Sequence, residues 1–73
     1  MASGLCPENV GKQAWPELLG AQVSVAVAKI HRENSNVRPI VVPEGSGVTK
    51  DIRCDRVRVW VEGRIVSRVP IVG

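Results

Sequence analysis

Residues 56–62, Arg-Val-Arg-Val-Trp-Val-Glu, alternate without a break. A period of two belongs to a β-strand, whose successive side chains point to opposite faces. Val57, Val59 and Val61 therefore share one face, and Arg56, Arg58 and Trp60 share the other. A face made only of valine must be covered. The opposite face sets two arginines side by side, roughly 7 Å apart by strand geometry.

The cover is found upstream. Val23, Ala26, Val27 and Ile30 fall at i, i+3, i+4 and i+7, which predicts a helix over 22–34 with one apolar face. Lys29, Arg32 and Glu33 lie mostly away from that face. Gln22 is a poor N-cap, whereas Asn34-Ser35-Asn36 is a good stop because Asn tolerates the left-handed conformation. Ahead of the helix, Trp15-Pro16-Glu17-Leu18-Leu19-Gly20 reads as a compact apolar knot. Pro16 opens a short helical turn and Gly20 ends it. Residues 1–14 read as a loose arm.

Ile40-Val41-Val42 is expected to be a short buried strand between Pro39 and Pro43, starting late because Pro39 lacks a donor. Residues 44–55 are irregular, since Gly45-Ser46-Gly47 holds no regular element. Glu62-Gly63-Arg64 is a tight turn, and Ile65–Val69 a return strand antiparallel to 56–61. The long connection between 40–42 and 56–61 predicts parallel pairing. The fold class is thus α+β: a single helix packed on a small mixed parallel/antiparallel sheet, with a long exposed loop.

Size narrows the function. A chain of 73 residues, 44% apolar with two Trp and neither Phe nor Tyr, makes one domain, 1–73, with a small core. Cys6 and Cys54 are the candidates for a staple. No apolar run approaches the roughly 18 residues of a membrane span, and the first residues lack the apolar stretch of a signal peptide. Two Cys and one His cannot close a four-ligand zinc site without carboxylates. His31, on the helix beside Arg32, reads as a surface histidine, and no Ser-His-Asp triad is available. The net charge of +3 is basic without naming a partner.

A loop of about a dozen residues in so small a domain is generally functional or disordered. In this one, Thr49 and Asp51 flank Lys50, Arg56 and Arg58 leave the following strand on one face, and Cys54 lies four residues past Lys50. Here the chain resembles the potato inhibitor I family of serine protease inhibitors, whose members include eglin. The resemblance covers nearly the whole chain. It rests on Trp15-Pro16-Glu17-Leu18 and Gly20, Pro43-Glu44-Gly45, Val48-Thr49-x-Asp51, Arg53-x-Asp55-Arg56-Val57-Arg58-Val59 and Val69-Pro70-x-Val72-Gly73.

The resemblance implies a substrate-mimicking inhibitor and not an enzyme. The reactive bond would be Lys50–Asp51. The protease would be contacted by Gly47, Val48, Thr49, Ile52 and Arg53, with Arg56 and Arg58 bonding from beneath to Thr49 and Asp51. A trypsin-like pocket ends in an aspartate, so Lys50 points to trypsin-like serine proteases. A loop held on both sides loses little entropy on binding, and religation of the cut bond gains a high effective molarity. A Cys6–Cys54 bridge, present in some members, would be worth about 4 kcal/mol on the chain-entropy account. The family implies a plant-defence role, with control of an endogenous protease equally compatible, and it needs no metal or cofactor; a monomer without nucleic-acid or membrane partners is expected. Secreted, vacuolar and cytosolic locations are all compatible. Three departures stand out. Gly47 replaces a larger residue and loosens the limb leading to Lys50, Pro39 interrupts its strand, and the 62–64 turn is about one residue short.

Each feature also has an ordinary reading. Lys50 outside that pattern is a solvated charge, and Arg53 either supports the loop or snorkels. The cysteines stay free thiols in a reducing cytosol. Trp15 and Trp60 are core or core-edge fillers. A different class remains as the alternative: a small basic module binding nucleic acid or an acidic partner through Arg53, Arg56, Arg58, Arg64 and Arg68. Glu44, Asp51, Asp55 and Glu62 dilute that stripe, and stacking platforms need more exposed aromatics than two Trp supply.

Overall fold

The computed structural model describes residues 11–51 and 53–73. Its centre is the alternating run, a strand β2 at Arg56–Glu62. Strand β1, Arg38–Pro43, pairs parallel with it, from Arg38 opposite Arg56 to Pro43 opposite Val61. Strand β3, Ile65–Val66, pairs antiparallel with Val61 and Glu62, and β4, Ile71–Val72, pairs antiparallel with Val57 and Arg58. Helix α1, Val23–Glu33, packs across β1 and β2. This is the expected fold class, one helix on a small mixed sheet.

The valine face becomes the core. Val57, Val59 and Val61 are buried with Ala26 and Ile30 of α1, together with Trp15, Leu18, Val37, Val66 and Val72. The apolar knot folds as a short 3-10 turn, Pro16–Leu18, ahead of Gly20, whose φ of +86° suits a residue without a Cβ. Trp15 is fully buried, and its indole donates to Glu33 Oε1 at 3.0 Å. Gln22 caps nothing with its side chain, as expected. The first helical amide, from Val23, instead donates to the Arg64 carbonyl at 2.8 Å, so a neighbouring turn does the capping.

Four readings need correction. Asn34 ends the helix without entering the left-handed region; its φ is −147°. It is buried, donates to the Lys12 carbonyl at 2.9 Å and accepts from the Asn36 amide at 3.0 Å. The side chain, not backbone tolerance, makes the stop. Second, β1 begins at Arg38 and carries Pro39 within it, which an edge strand permits. It is also less buried than expected, with Ile40 41% and Val41 47% exposed.

Third, the return strand is split. It pairs only at Ile65–Val66, then bends, and pairs again at Ile71–Val72. Pro70 lies in the gap and has no amide to donate; its carbonyl accepts from Trp15 N at 3.0 Å. Fourth, residues 11–14 fall within the stretch read as a loose arm, yet Ala14 bridges Ile71 and the Gln13 carbonyl accepts from Val72 N at 3.0 Å. Residues 1–10 of that arm lie outside the described residues.

Candidate functional site

The parallel crossover between Pro43 and Arg56 brings Thr49 and Asp51 over the β2 face opposite the core. On that face Arg56 and Arg58 reach up into the loop. Arg56 is 8% exposed. It donates from NH2 to the Asp51 carbonyl at 2.9 Å, from NH1 to Asp51 Oδ2 at 3.3 Å, and from Nε to the Gly73 carbonyl at 2.9 Å. Arg58 NH2 donates to the Thr49 carbonyl at 2.8 Å and to Thr49 Oγ1 at 3.2 Å, and lies 3.7 Å from Asp51 Oδ1.

The Thr49 hydroxyl in turn donates to Asp51 Oδ1. That bond first, and Arg56 after it, hold the Asp51 carboxyl below its usual range. Two fixed guanidinium forks therefore grip the backbone and side chains on either side of Lys50, and Lys50 itself is exposed.

The potato inhibitor I family pattern matches residues 7–73. The chain belongs to this family. It is 55% identical over 64 residues to the Glu S. griseus protease inhibitor of Momordica charantia, covering 86% of this chain and 94% of that one. It is 56% identical over 66 residues to the trypsin/subtilisin inhibitor of Amaranthus caudatus, covering 89% and 91%. The crystal structure of bitter gourd trypsin inhibitor superposes with a TM-score of 0.87 at 52% identity, covering 89% of this chain and 97% of that one. The family consists of protease inhibitors, so this potato inhibitor I chain is not an enzyme.

The remaining predicted residues fall as follows. Val48 is 40% exposed. Gly47 is open, with no atom within 4 Å of where a Cβ would sit. Arg53 forms a two-pronged pair with Asp55, Nε to Oδ1 at 3.0 Å and NH2 to Oδ2 at 2.9 Å. Ile52 and Cys6 lie outside the described residues. Cys54 packs half-buried against the core, and no free cysteine occurs among the described residues. His31 is exposed, as expected.

The arginine stripe is not assembled as a free basic surface. Four of its five members are engaged, Arg53 by Asp55, Arg56 and Arg58 by the loop, and Arg68 by Glu44, while Arg64 is exposed. No group of three or more His, Cys, Asp or Glu suited to a metal occurs among the described residues. No helix there is long and apolar enough to cross a membrane.

Two residues in the motifs have contacts that were not legible in the sequence. One is Gly73, whose carbonyl accepts from Arg56 while its amide donates to the Arg56 carbonyl at 2.9 Å. The other is Glu44, bonded by Ser67 and Arg68. Both are contacts between distant positions, and no local spacing signals them.

Proposed function

We infer that this chain inhibits trypsin-like serine proteases by presenting Lys50–Asp51 as a substrate-like bond. Lys50 enters the specificity pocket, where its ammonium meets the aspartate at the base. Gly47, Val48, Thr49, Ile52 and Arg53 contact the protease around it. The observation that carries this reading is the pair of arginine forks, one on Thr49 and one on Asp51, with Lys50 exposed between them. A segment already fixed in the bound shape loses little ordering entropy on association. After cleavage the same forks keep the new amine of Asp51 beside the acyl carbon, so religation competes with water.

Relatives of similar identity are named for different proteases, a Glu-named enzyme in one case and trypsin with subtilisin in another. Overall similarity therefore does not set the target. The pocket-filling side chain does, and here it is lysine. The working unit is the single domain 1–73 as a monomer, with a Cys6–Cys54 bridge clasping the loop downstream of Lys50.

Titration of trypsin, chymotrypsin and subtilisin with the purified protein tests the reading. Stoichiometric loss of trypsin activity, followed by slow cleavage at Lys50–Asp51 alone, is expected. Lys50→Ala should weaken trypsin binding by several kcal/mol, on the order of a central anchor residue. Unchanged trypsin inhibition by that variant refutes the reactive-bond assignment. The same sample reports the bridge, because its mass rises by two hydrogens on reduction only if the bridge is there.

A further inference from the structure

Gly47 leaves the limb from Glu44 to Thr49 with a residue that resists nothing conformationally. Gly45, at a φ of +89°, adds a second glycine to the same limb. Arg58 holds this limb only at its far end, Thr49. Something else must hold its start, and the fold provides it in Glu44.

Glu44 is the first residue after β1, and its backbone is fixed by its N–H, which donates to the Val61 carbonyl at 2.9 Å. Its carboxylate takes three donors. Ser67 Oγ and Arg68 Nε reach Oε2, the latter at 2.9 Å, and Arg68 NH2 reaches Oε1 at 2.9 Å. The Arg68 guanidinium is itself stacked on the Trp60 ring, 4.2 Å from its centroid. Ser67 is tied to β2 by its amide, which donates to the Trp60 carbonyl at 2.8 Å. Trp60 belongs to the same β2 face as Arg56 and Arg58. One strand thus carries the fixtures for both limbs of the loop.

The geometry of Arg68 is a fork on a carboxylate, the directional form of an ion pair. Its side chain is 55% exposed, so removing it opens no core. What it can change is the freedom of the limb. We propose that Glu44, Ser67 and Arg68, backed by Trp60, form a clamp that positions the limb upstream of Lys50 and offsets the looseness of Gly47. These are positioning residues; they act on the reactive bond through the chain between Glu44 and Thr49. The proposal rests on the inhibitory reading of Lys50–Asp51.

The test separates the clamp from that reading by measuring it first without a protease. In Arg68→Ala, hydrogen exchange at the Ser46 amide, which donates to the Pro43 carbonyl at 3.1 Å, should rise about fivefold, while Val57 and Val59 amides in the core stay protected. Trypsin should then cleave Lys50–Asp51 about fivefold faster. Arg68→Lys, which keeps charge without the fork, should fall between. Glu44→Gln should match or exceed Arg68→Ala, since Ser67 also bonds that carboxylate, and the double variant should go no further than Glu44→Gln, because the two share the Arg68 interaction. Adding Gly47→Ala to Arg68→Ala should restore slow cleavage, which a general loss of stability would not allow.

Unchanged exchange at Ser46 overturns the clamp, and so does faster exchange with cleavage unchanged. Equal acceleration at the core amides also overturns it, since the effect would then be global. Exchange that responds to Arg68 in a protein that leaves trypsin fully active identifies the inhibitory reading as the failure, and the positioning role falls with it.

Discussion

Arg56 and Arg58 stand two positions apart on one strand and do different work. Arg56 is buried and divides its donors between Asp51 and the Gly73 carbonyl, so it joins the loop to the end of the chain. Arg58 is more open and serves Thr49. Removing Arg56 takes a donor from the Asp51 and Gly73 carbonyls in a part-buried cluster, which costs up to about 1–3 kcal/mol where water cannot replace it. Arg56→Ala is therefore expected to lower the melting temperature and speed cleavage at Lys50–Asp51 together. Arg58→Ala should speed cleavage with a smaller thermal effect. Calorimetry beside timed mass spectrometry of the trypsin mixture decides it; two variants cleaved at the wild-type rate would end the support role. Arg56→Lys should resemble the alanine variant more than the wild type, because one ammonium cannot replace a planar fork aimed at three acceptors. The alternation of 56–62 revealed that both arginines share a face, and the family resemblance supplied their partners. The resemblance includes Gly73 and Glu44 in its motifs but gives neither a role, because their roles depend on which distant segments the fold brings beside β2.

At the scale of elements, β2 was the most legible piece and β1 the least. β2 has bonded neighbours on both edges and one face under a helix, so alternation reports burial directly. β1 has β2 on one side only. Val42 is buried, but opposite Trp60 on the loop face and outside the main core cluster, while Ile40 and Val41 stay half-open. Three consecutive branched residues hid that division. The same geometry gives the prolines a purpose. Arg38 N donates to Asp55 O at 2.8 Å and Glu44 N to Val61 O at 2.9 Å. With the parallel register between them, the amides of residues 38, 40, 42 and 44 face β2, and positions 39, 41 and 43 face outward. Pro39 and Pro43 occupy two of those three outward positions and have no amide to offer. An apolar edge strand invites pairing with another chain, and here Val41 N–H is the one donor left on that edge. Pro39→Thr combined with Pro43→Thr should give concentration-dependent self-association in sedimentation velocity. It should also cost about 0.4–1 kcal/mol of stability per proline through the freer unfolded chain. A doubly substituted protein that stays monomeric at every concentration would show that the prolines do not guard this edge. The split of the return strand has a similar source: Pro70 interrupts the pairing that the valines around it suggest.

For the molecule as a whole, charge acts by placement, and acid should reveal it in two stages. Five carboxylates are held below their ordinary range by named partners: Glu17, down to about 2, and Glu33 chiefly by Lys12, Glu44 by Arg68, Asp51 by Thr49, and Asp55 by Arg53. A carboxylate whose folded pKa is depressed stabilises fully above its unfolded value and loses that contribution as pH falls through the folded one. With ordinary values of 4.5 for Glu and 3.8 for Asp, stability should be level above about pH 5 and decline from there toward pH 2. The pairs are open to solvent, so each contributes little and less at high salt. Most of the core does not depend on them: Val57, Val59 and Ile30 are buried without reference to pH, and Trp15 meets a titrating group only at its indole N–H, which donates to Glu33. Glu44 and Asp51, by contrast, bear on the two limbs of the loop. Protonating Asp51 weakens its attraction to Arg56 and Arg58; protonating Glu44 releases Arg68. The loop should therefore loosen reversibly over a range in which the domain remains folded. Amide spectra recorded from pH 6 to pH 2 should show residues 44–51 shifting and gaining exchange while Val57 and Val59 stay protected. Added salt should shrink the change, because the exposed pairs are already weakened. Loop and core amides losing protection at the same pH would mean that the loop is held by the stability of the domain and not by its own ion pairs.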